Sequence, residues 1–160
     1  MKKLFFAAAL VASILIQPAF AQLSPLLDNY YGIKNALVSD DTKAAAGKAV
    51  DLLKAIDAVD MKSLPAKDHT AFMAVKDKLI FDAKNISGAS DIELQRNHFT
   101  SLSSNMATLA KQTTLSQQPI YQEFCPMKKA YWLSNETAIK NPYYGSSMLT
   151  CGKVTATLKP

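Results

Sequence analysis

The sequence predicts an all-α protein: an up-down four-helix bundle followed by an irregular C-terminal cap that contains a short antiparallel two-stranded ribbon. Three observations lead to this prediction. Apolar residues recur at helical spacing in four segments between residues 22 and 112, which is typical of amphipathic helices. Short polar segments with capping residues separate them. After Thr113 this pattern stops, and short stretches rich in β-prone residues replace it.

The first two helices are predicted from their apolar stripes and their starts. Ser24 can cap the first helix with Pro25 in its first turn, where a missing N–H costs nothing. Its expected buried residues are Leu26, Tyr30, Ile33 and Leu37. The second helix is expected over residues 42–58, after a turn and cap at 39–41. Its expected buried residues are Ala46, Ala49, Val50, Leu53 and Ile56.

The third and fourth helices are separated by a glycine and a capping box. The third is expected over residues 66–85, with Gly88 in the left-handed position past its end. Ser90 and Glu93 form the capping box that starts the fourth helix, which continues to about residue 112. The expected core residues are Phe72, Val75, Leu79 and Ala83, then Phe99, Leu102, Met106 and Leu109.

The C-terminal cap, about residues 118–158, holds both cysteines and the single Trp of the chain. Residues 120–124 and 154–158 are short and β-prone, and we expect them to pair antiparallel. That pairing would bring Cys125 and Cys151 close together. Between them, Ser134 is expected to cap a short helix that ends before Pro142, because the residue before a proline avoids helical geometry.

The N-terminus predicts export. Residues 1–21 combine a basic start, an apolar run from Leu4 to Ile16 and a small-x-small site ending at Ala21, which together are typical of a secretory signal peptide. Cleavage near Ala21 would leave residues 22–160 as a single helical-bundle domain in the periplasm or outside the cell. The apolar run is too short to span a bilayer, so no transmembrane segment is expected after cleavage.

The charge pattern argues against nucleic-acid binding, and the motifs argue against an enzyme. The formal net charge is +5, but the basic residues are scattered lysines and Arg96 is the sole arginine, whereas nucleic-acid interfaces cluster basic residues. The chain lacks the H-E-x-x-H, G-x-S-x-G, phosphate-loop and C-x-x-C motifs. We therefore expect a non-enzymatic protein.

Four sulfur-containing residues of the cap are candidate metal ligands. Cys125 and Met127 flank a proline, and Met148 and Cys151 lie three apart. Thiolate and thioether sulfurs favour Cu(I) and related soft ions, so copper is the expected cofactor. The alternative is a disulfide between Cys125 and Cys151, as cysteines of exported proteins often form, with both methionines in the core. The residue pattern leaves both interpretations open.

The two histidines are weaker candidates for the same site. His69 shares a helix face with Met73, and His98 lies beside the core residue Phe99. Either imidazole could complete a sulfur site. The alternative for each is a partly buried histidine that hydrogen-bonds to a nearby acceptor.

The chain also resembles a known family. The resemblance lies in Phe124–Met127, Ala130–Ser134, Asn141–Gly145 and Met148–Gly152, and it extends to His69 with Met73 and to Gln95 and Arg96 with Phe99, Leu102 and Ser103. These residues resemble an uncharacterised family of periplasmic helical proteins, a domain of unknown function that is also found appended to adaptor subunits of heavy-metal, copper-type efflux systems.

This resemblance implies a periplasmic helical bundle that handles copper or a related heavy metal, as a buffer or carrier linked to efflux. Carried onto this chain, the implied ligands are Cys125, Met127, Met148 and Cys151, with His69 and His98 as additions. The implied partner is a heavy-metal efflux adaptor or another envelope protein. The alternative function is a non-enzymatic protein-interaction module stapled by a Cys125–Cys151 disulfide.

Overall fold

The computed structural model of the protein describes residues 19–159. It consists of a helical bundle followed by a small antiparallel sheet. The elements are α1 (Ala19–Val38), α2 (Thr42–Asp57), α3 (Ala66–Gly88), α4 (Ile92–Gln112), β1 (Ile120–Cys125), β2 (Ala130–Ser134), a 3-10 turn (Gly145–Met148) and β3 (Lys153–Leu158). The predicted helical bundle is confirmed, but the predicted all-α class with a two-stranded ribbon is incomplete, because the sheet has three strands.

Aspartate side chains cap the N-termini of two helices, α2 and α4. The side chain of Asp41 accepts a hydrogen bond from the Ala44 amide at 2.8 Å and caps α2, as the turn at 39–41 predicted. Asp91 caps α4 in the same way, accepting from the Leu94 amide at 2.9 Å. The capping box predicted at Ser90 is therefore misplaced by one residue. A carboxylate at this position also complements the positive end of the helix dipole.

Helix α1 begins earlier than predicted. It is already helical at Ala19 and continues through Pro25, so the predicted start at Ser24 is wrong. Leu23, Leu26 and Leu27 are buried on both sides of the proline, and this packing keeps the segment helical despite the hydrogen bond that proline cannot donate. Most of the predicted signal peptide lies outside the described residues. No helix within residues 19–159 combines the length and apolar character needed to span a bilayer.

Consecutive helices pack against one another around one apolar core. The buried residues predicted for α1, α3 and α4 all lie in this core. The prediction for α2 is right in part: Ala49 and Ile56 are buried as predicted, but Ala45 and Leu52 take the other core positions and Val50 is exposed. Neighbouring alanines in this helix make the stripe ambiguous in sequence, since 45, 49, 52 and 56 also follow helical spacing. Helix α3 extends to Gly88, three residues past the predicted end.

The sheet has the order β2-β1-β3, and both pairings are antiparallel. The predicted pairing of residues 120–124 with 154–158 is confirmed. The predicted helix at Ser134 is wrong, because Ser134 ends β2 and its hydroxyl accepts from the Glu136 amide at 3.1 Å. Trp132, Leu133 and Ser134 of β2 are all buried, so the strand lacks the alternation that would identify it from sequence.

Two tyrosine hydroxyls join edge strand β2 to the rest of the molecule. The Leu133 amide donates to the buried hydroxyl of Tyr30 at 2.9 Å, and that hydroxyl also bonds Ser103 on α4 at 2.8 Å. The Tyr143 hydroxyl donates to the Tyr131 carbonyl at 2.5 Å. Backbone groups of an edge strand, which would otherwise stay unpaired, are thereby satisfied.

The guanidinium of Arg96 ties α4 to two distant segments. Arg96 is 5% exposed and donates to the carbonyls of Pro142 and Leu37 and to the carboxylate of Asp40. Asp40 in turn accepts from Ser146 of the cap. Gly145 has a positive φ of 53°, and a Cβ there would overlap the Asp40 carboxylate and the Arg96 guanidinium. This position therefore requires glycine for two reasons.

Candidate functional site

The structure brings the two cysteines together. Cys125 ends β1 and Cys151 lies just before β3, and the pairing of Phe124 with Lys153 sets these two points side by side. Their Sγ atoms are 4.0 Å apart, and both cysteines are free thiols. Cys125 is buried and Cys151 is half-buried. The pair is therefore in contact but unbonded, since bonded sulfurs lie about 2.05 Å apart.

The turn between β1 and β2 directs backbone amides at the sulfurs. The Lys128 amide donates to Cys125 Sγ at 3.4 Å, and the Met127 amide lies near Cys151 and opposes the rise in the pKa of its thiol, although its geometry falls short of a hydrogen bond. Lys129 completes the turn in a left-handed conformation, with φ of 55°. The turn therefore places a backbone donor within hydrogen-bonding distance of Cys125, the buried sulfur of the pair.

Other surroundings favour the protonated thiol. Burial raises the pKa of the Cys151 thiol above its usual value, and the adjacent Cys125 thiol raises it further, while the Met127 amide opposes the rise. Two thiolates in contact repel each other, so a cation bound between them would favour the ionised pair. A metal ion bound here would displace protons from the pair.

Asn141 positions Cys151. It is fully buried, and its Nδ2 donates to the Cys151 carbonyl at 2.6 Å. Its Oδ1 accepts from the Tyr143 amide at 2.8 Å, and its backbone N–H donates to the Leu149 carbonyl at 2.8 Å. Sequence reasoning treated this asparagine only as the end of a helix. An Asn-Pro pair in an irregular segment was the available signal for such a turn.

The Trp132 ring packs closely against the backbone next to Cys151, on one side of the site. Gly152 follows Cys151, and a Cβ at Gly152 would lie 2.7 Å from the Trp132 ring. Trp132 is fully buried and packs edge-on against Tyr143, with ring centroids 5.9 Å apart. The backbone next to Cys151 can approach the indole this closely only because residue 152 has no side chain.

The two candidate methionines lie in the turns that flank the thiols. Met127 belongs to the β1–β2 turn and is 63% exposed. Met148 ends the 3-10 turn and is half-buried, and its carbonyl accepts from the Cys151 amide at 3.1 Å. Met127, two residues after Cys125, fills no part of the core and can reorient, since a methionine side chain has three rotatable bonds.

The two histidines lie on the helices. His98 Nδ1 is 3.4 Å from Asp82 Oδ1, and the imidazole packs edge-on against Phe81 of α3. His69 is exposed in the first turn of α3. Within residues 19–159, no three or more His, Cys, Asp and Glu side chains form a group that could hold a metal. The structure therefore groups neither histidine with the thiol pair.

Sequence reasoning did not identify a buried carboxyl near the site. Glu123 lies on the same face of β1 as Cys125 and is 0% exposed, and neither carboxyl oxygen has a hydrogen-bond partner. Burial raises its pKa to about 7, and the nearby Lys34 ammonium opposes this rise. The Trp132 indole N–H also opposes it, although its geometry falls short of a hydrogen bond. A glutamate followed directly by phenylalanine in a strand was the only sequence signal.

The helical part of the chain matches a known protein family. Residues 26–118, from α1 to the segment before β1, match the family described as "Protein of unknown function (DUF3347)". No curated protein and no solved structure matches the chain. The family match ends before β1, so the thiol pair lies in residues that it does not cover. Because the match covers more than half of the sequence, the chain belongs to the DUF3347 family of proteins of unknown function.

Proposed function

We propose that the protein is a periplasmic heavy-metal-binding protein that takes copper as Cu(I) and acts as a buffer or carrier linked to metal efflux. The observation that supports this function is the pair of free thiols with sulfurs 4.0 Å apart at Cys125 and Cys151. The link to efflux and the periplasmic location rest on the sequence resemblance and the signal peptide. The choice of copper as the metal rests on the soft sulfur atoms of the candidate ligands.

The separation of the sulfurs suits one shared ion. Metal–thiolate bonds are about 2.3 Å long in proteins, as for zinc. An ion at that distance from two sulfurs that are 4.0 Å apart would form an S–metal–S angle of about 120°. This is the angle of trigonal coordination, which leaves room for a third ligand. Met127 and Met148 both lie close enough in the chain to supply a thioether.

The donor set selects the metal. Thiolate and thioether sulfurs are soft ligands, which favour Cu(I) over hard cations such as magnesium and calcium. Binding to the thiols also releases protons, so affinity should increase with pH. The raised pKa of Cys151 extends that increase toward higher pH.

A competition experiment tests this function. Reduced protein, kept free of oxygen, should withdraw about one Cu(I) per chain from a coloured chelator, as expected for a single soft site. Met127→Leu and Met148→Leu keep the side-chain volume but remove the sulfur, so we expect both to weaken binding. Met73→Leu is the matched control, because Met73 is exposed on α3, a helix that packs mainly against α2 and α4.

Two results would refute the metal site. One is reduced wild-type protein that leaves the chelator fully loaded. The other is cap methionine variants that bind Cu(I) as tightly as Met73→Leu. His69→Gln and His98→Gln belong to the same series, and a loss of affinity in either would add that imidazole to the ligands.

The second candidate function is a non-enzymatic interaction module stapled by a Cys125–Cys151 disulfide. The contact between the sulfurs also supports this alternative, because a short movement would join them. Strand β3 pairs only with β1 among the described strands, and Val154 on it is exposed, so its outer edge is available to a partner strand. Thiol trapping of the exported protein separates the two functions: free thiols favour metal binding, and an unreactive disulfide favours the module.

A further inference from the structure

We propose that the Cys125–Cys151 pair also reduces Cu(II), giving up two electrons as it closes to a disulfide. This activity goes beyond metal storage, and it rests on the proposed function only in the choice of copper. A chain with this activity would accept copper in its oxidised form and deliver it in the reduced form. Three features of the site support it.

The first feature is the geometry of the thiols. Their sulfurs are in contact at 4.0 Å, and a disulfide requires an approach to about 2.05 Å. Cys151 lies between the 3-10 turn and β3, outside the regular strands. Its backbone is held by Asn141 and Met148, but its side chain is only half-buried and has more room to rotate toward its partner than the fully buried side chain of Cys125.

The second feature is the difference in exposure. Cys151 is half-buried, whereas Cys125 is fully buried behind it. An incoming ion meets Cys151 first, and Cys125 is held next to it as the second electron donor. A buried second thiol also favours closure within one chain over a bond between two chains.

The third feature is the kind of donor atoms at this site. Two thiol sulfurs, those of Cys125 and Cys151, meet here, and the adjoining turns carry Met127 and Met148, while the imidazole of His98 faces Asp82 on the helices. Cu(II) prefers nitrogen and oxygen ligands in tetragonal geometry, whereas soft sulfur favours copper in its reduced state. A cupric ion that enters this site is therefore held by ligands that stabilise Cu(I).

The reaction balances without another reactant. Two S–H bonds break, two protons leave to water, and one S–S bond forms between Cys125 and Cys151. The two electrons reduce two Cu(II) ions to Cu(I). The disulfide sulfurs no longer act as thiolate ligands, so the thioethers of Met127 and Met148 remain as the soft donors from which Cu(I) is released.

Anaerobic mixing of the reduced full chain with a cupric salt tests this activity. A colour reagent specific for Cu(I) should report two Cu(I) per chain, and the chain should lose both free thiols and about 2 Da as a monomer. The rate per chain should not depend on protein concentration, because both thiols belong to one molecule. Met73→Leu should behave as wild type does.

The single variants Cys125→Ser and Cys151→Ser provide the contrast. Cys125→Ser keeps the half-buried Cys151, so it should yield one Cu(I) per chain, only through covalent dimers, at a rate that increases with protein concentration. Cys151→Ser keeps only the buried Cys125, so it should yield much less Cu(I) and few covalent dimers. The proposal is overturned if wild type keeps its thiols in the presence of Cu(II), or if it forms covalent dimers as Cys125→Ser does.

Cu(I) competition with the reduced protein distinguishes a failure of this proposal from a failure of the proposed function. A chain that binds Cu(I) but is not oxidised by Cu(II) would refute the reduction and leave the storage function standing. A chain that reduces Cu(II) but does not hold Cu(I) would refute storage alone.

Discussion

Glu123 makes the stability of this protein depend on pH. Burial raises its pKa from 4.5 to about 7, so the folded protein holds a proton there at a pH where the unfolded chain has lost it. Because the folded form binds more protons, the stability is fully present below pH 4.5 and is lost as pH rises through 7. Lys34, Tyr31 and Glu136 are the other titratable groups that act on this carboxyl or are acted on by it.

Glu123→Gln should remove this dependence. Between pH 5 and pH 8, the free energy of unfolding of wild type should fall relative to the variant by roughly 2–3 kcal/mol, as the size of the pKa shift implies. The comparison uses the change with pH, because the amide also alters packing and hydrogen bonding by an amount that does not depend on pH. Urea unfolding of both reduced proteins measures it. Parallel stability curves for the two proteins would show that Glu123 does not titrate as described.

Gly145 provides a second test at the level of one residue. Gly145→Ala forces a side chain into the Arg96–Asp40 ion pair at a positive φ, and we expect a loss of roughly 1–3 kcal/mol of stability. Gly47→Ala is the matched control. Gly47 lies inside α2 with no atom near its Cβ position, so alanine there should stabilise by about 1 kcal/mol. Thermal unfolding of both variants checks the opposite signs, and a neutral Gly145→Ala would contradict the role given to this glycine.

Some of these residues could be predicted from the sequence, and others could not. Cys125 and Cys151 stood out because their residue type is rare and their strands were predicted to pair. Glu123, Asn141 and Arg96 acquire their roles from partners far away in the chain, such as Lys34 for Glu123 and Pro142 for Arg96. No local pattern encodes such partners, so a single sequence reveals neither their burial nor their contacts.

At the level of elements, the periodicity of apolar residues predicted the four half-exposed helices and missed the buried strand β2. The four helices each keep a polar face, and so the 3.6-residue pattern was visible. Strand β2 is covered on both faces by the rest of the cap and by α4. It therefore lost the alternation on which strand prediction depends, and the third strand of the sheet was not predicted.

The link between β2 and α1 leads to a prediction about one hydroxyl. Tyr30→Phe leaves the Leu133 amide without the acceptor that Tyr30 provides, and a buried unpaired donor costs about 1–3 kcal/mol. Tyr31→Phe is the control, because the Tyr31 hydroxyl has no hydrogen-bond partner among the described residues. Urea unfolding gives the stabilities, and hydrogen exchange at Leu133 should accelerate only in Tyr30→Phe. Equal effects of the two variants would rule out the role of this bond.

For the whole molecule, the cysteines should be dispensable for folding. Both thiols are unbonded, and most of the apolar core lies in the helices. We expect Cys125→Ser with Cys151→Ser to keep its helical far-UV circular dichroism and cooperative unfolding, with a cost of about 1–3 kcal/mol for a hydroxyl at the buried Cys125 position. A largely unfolded spectrum would mean that the helical core cannot support the fold alone.

The chain cannot be cut at the end of the family match without breaking a hydrogen bond of the buried Arg96 side chain. The family match stops at residue 118, yet the guanidinium of Arg96, inside the match, donates to the Pro142 carbonyl beyond it. A fragment that ends at 118 would keep the Asp40 and Glu93 partners of Arg96, but it would lose the Pro142 carbonyl and uncover the part of α4 that packs against β2. We therefore expect the stretch that a family model recognises to be shorter than the unit that folds cooperatively, so residues 26–118 transplanted into another chain would form an incomplete domain.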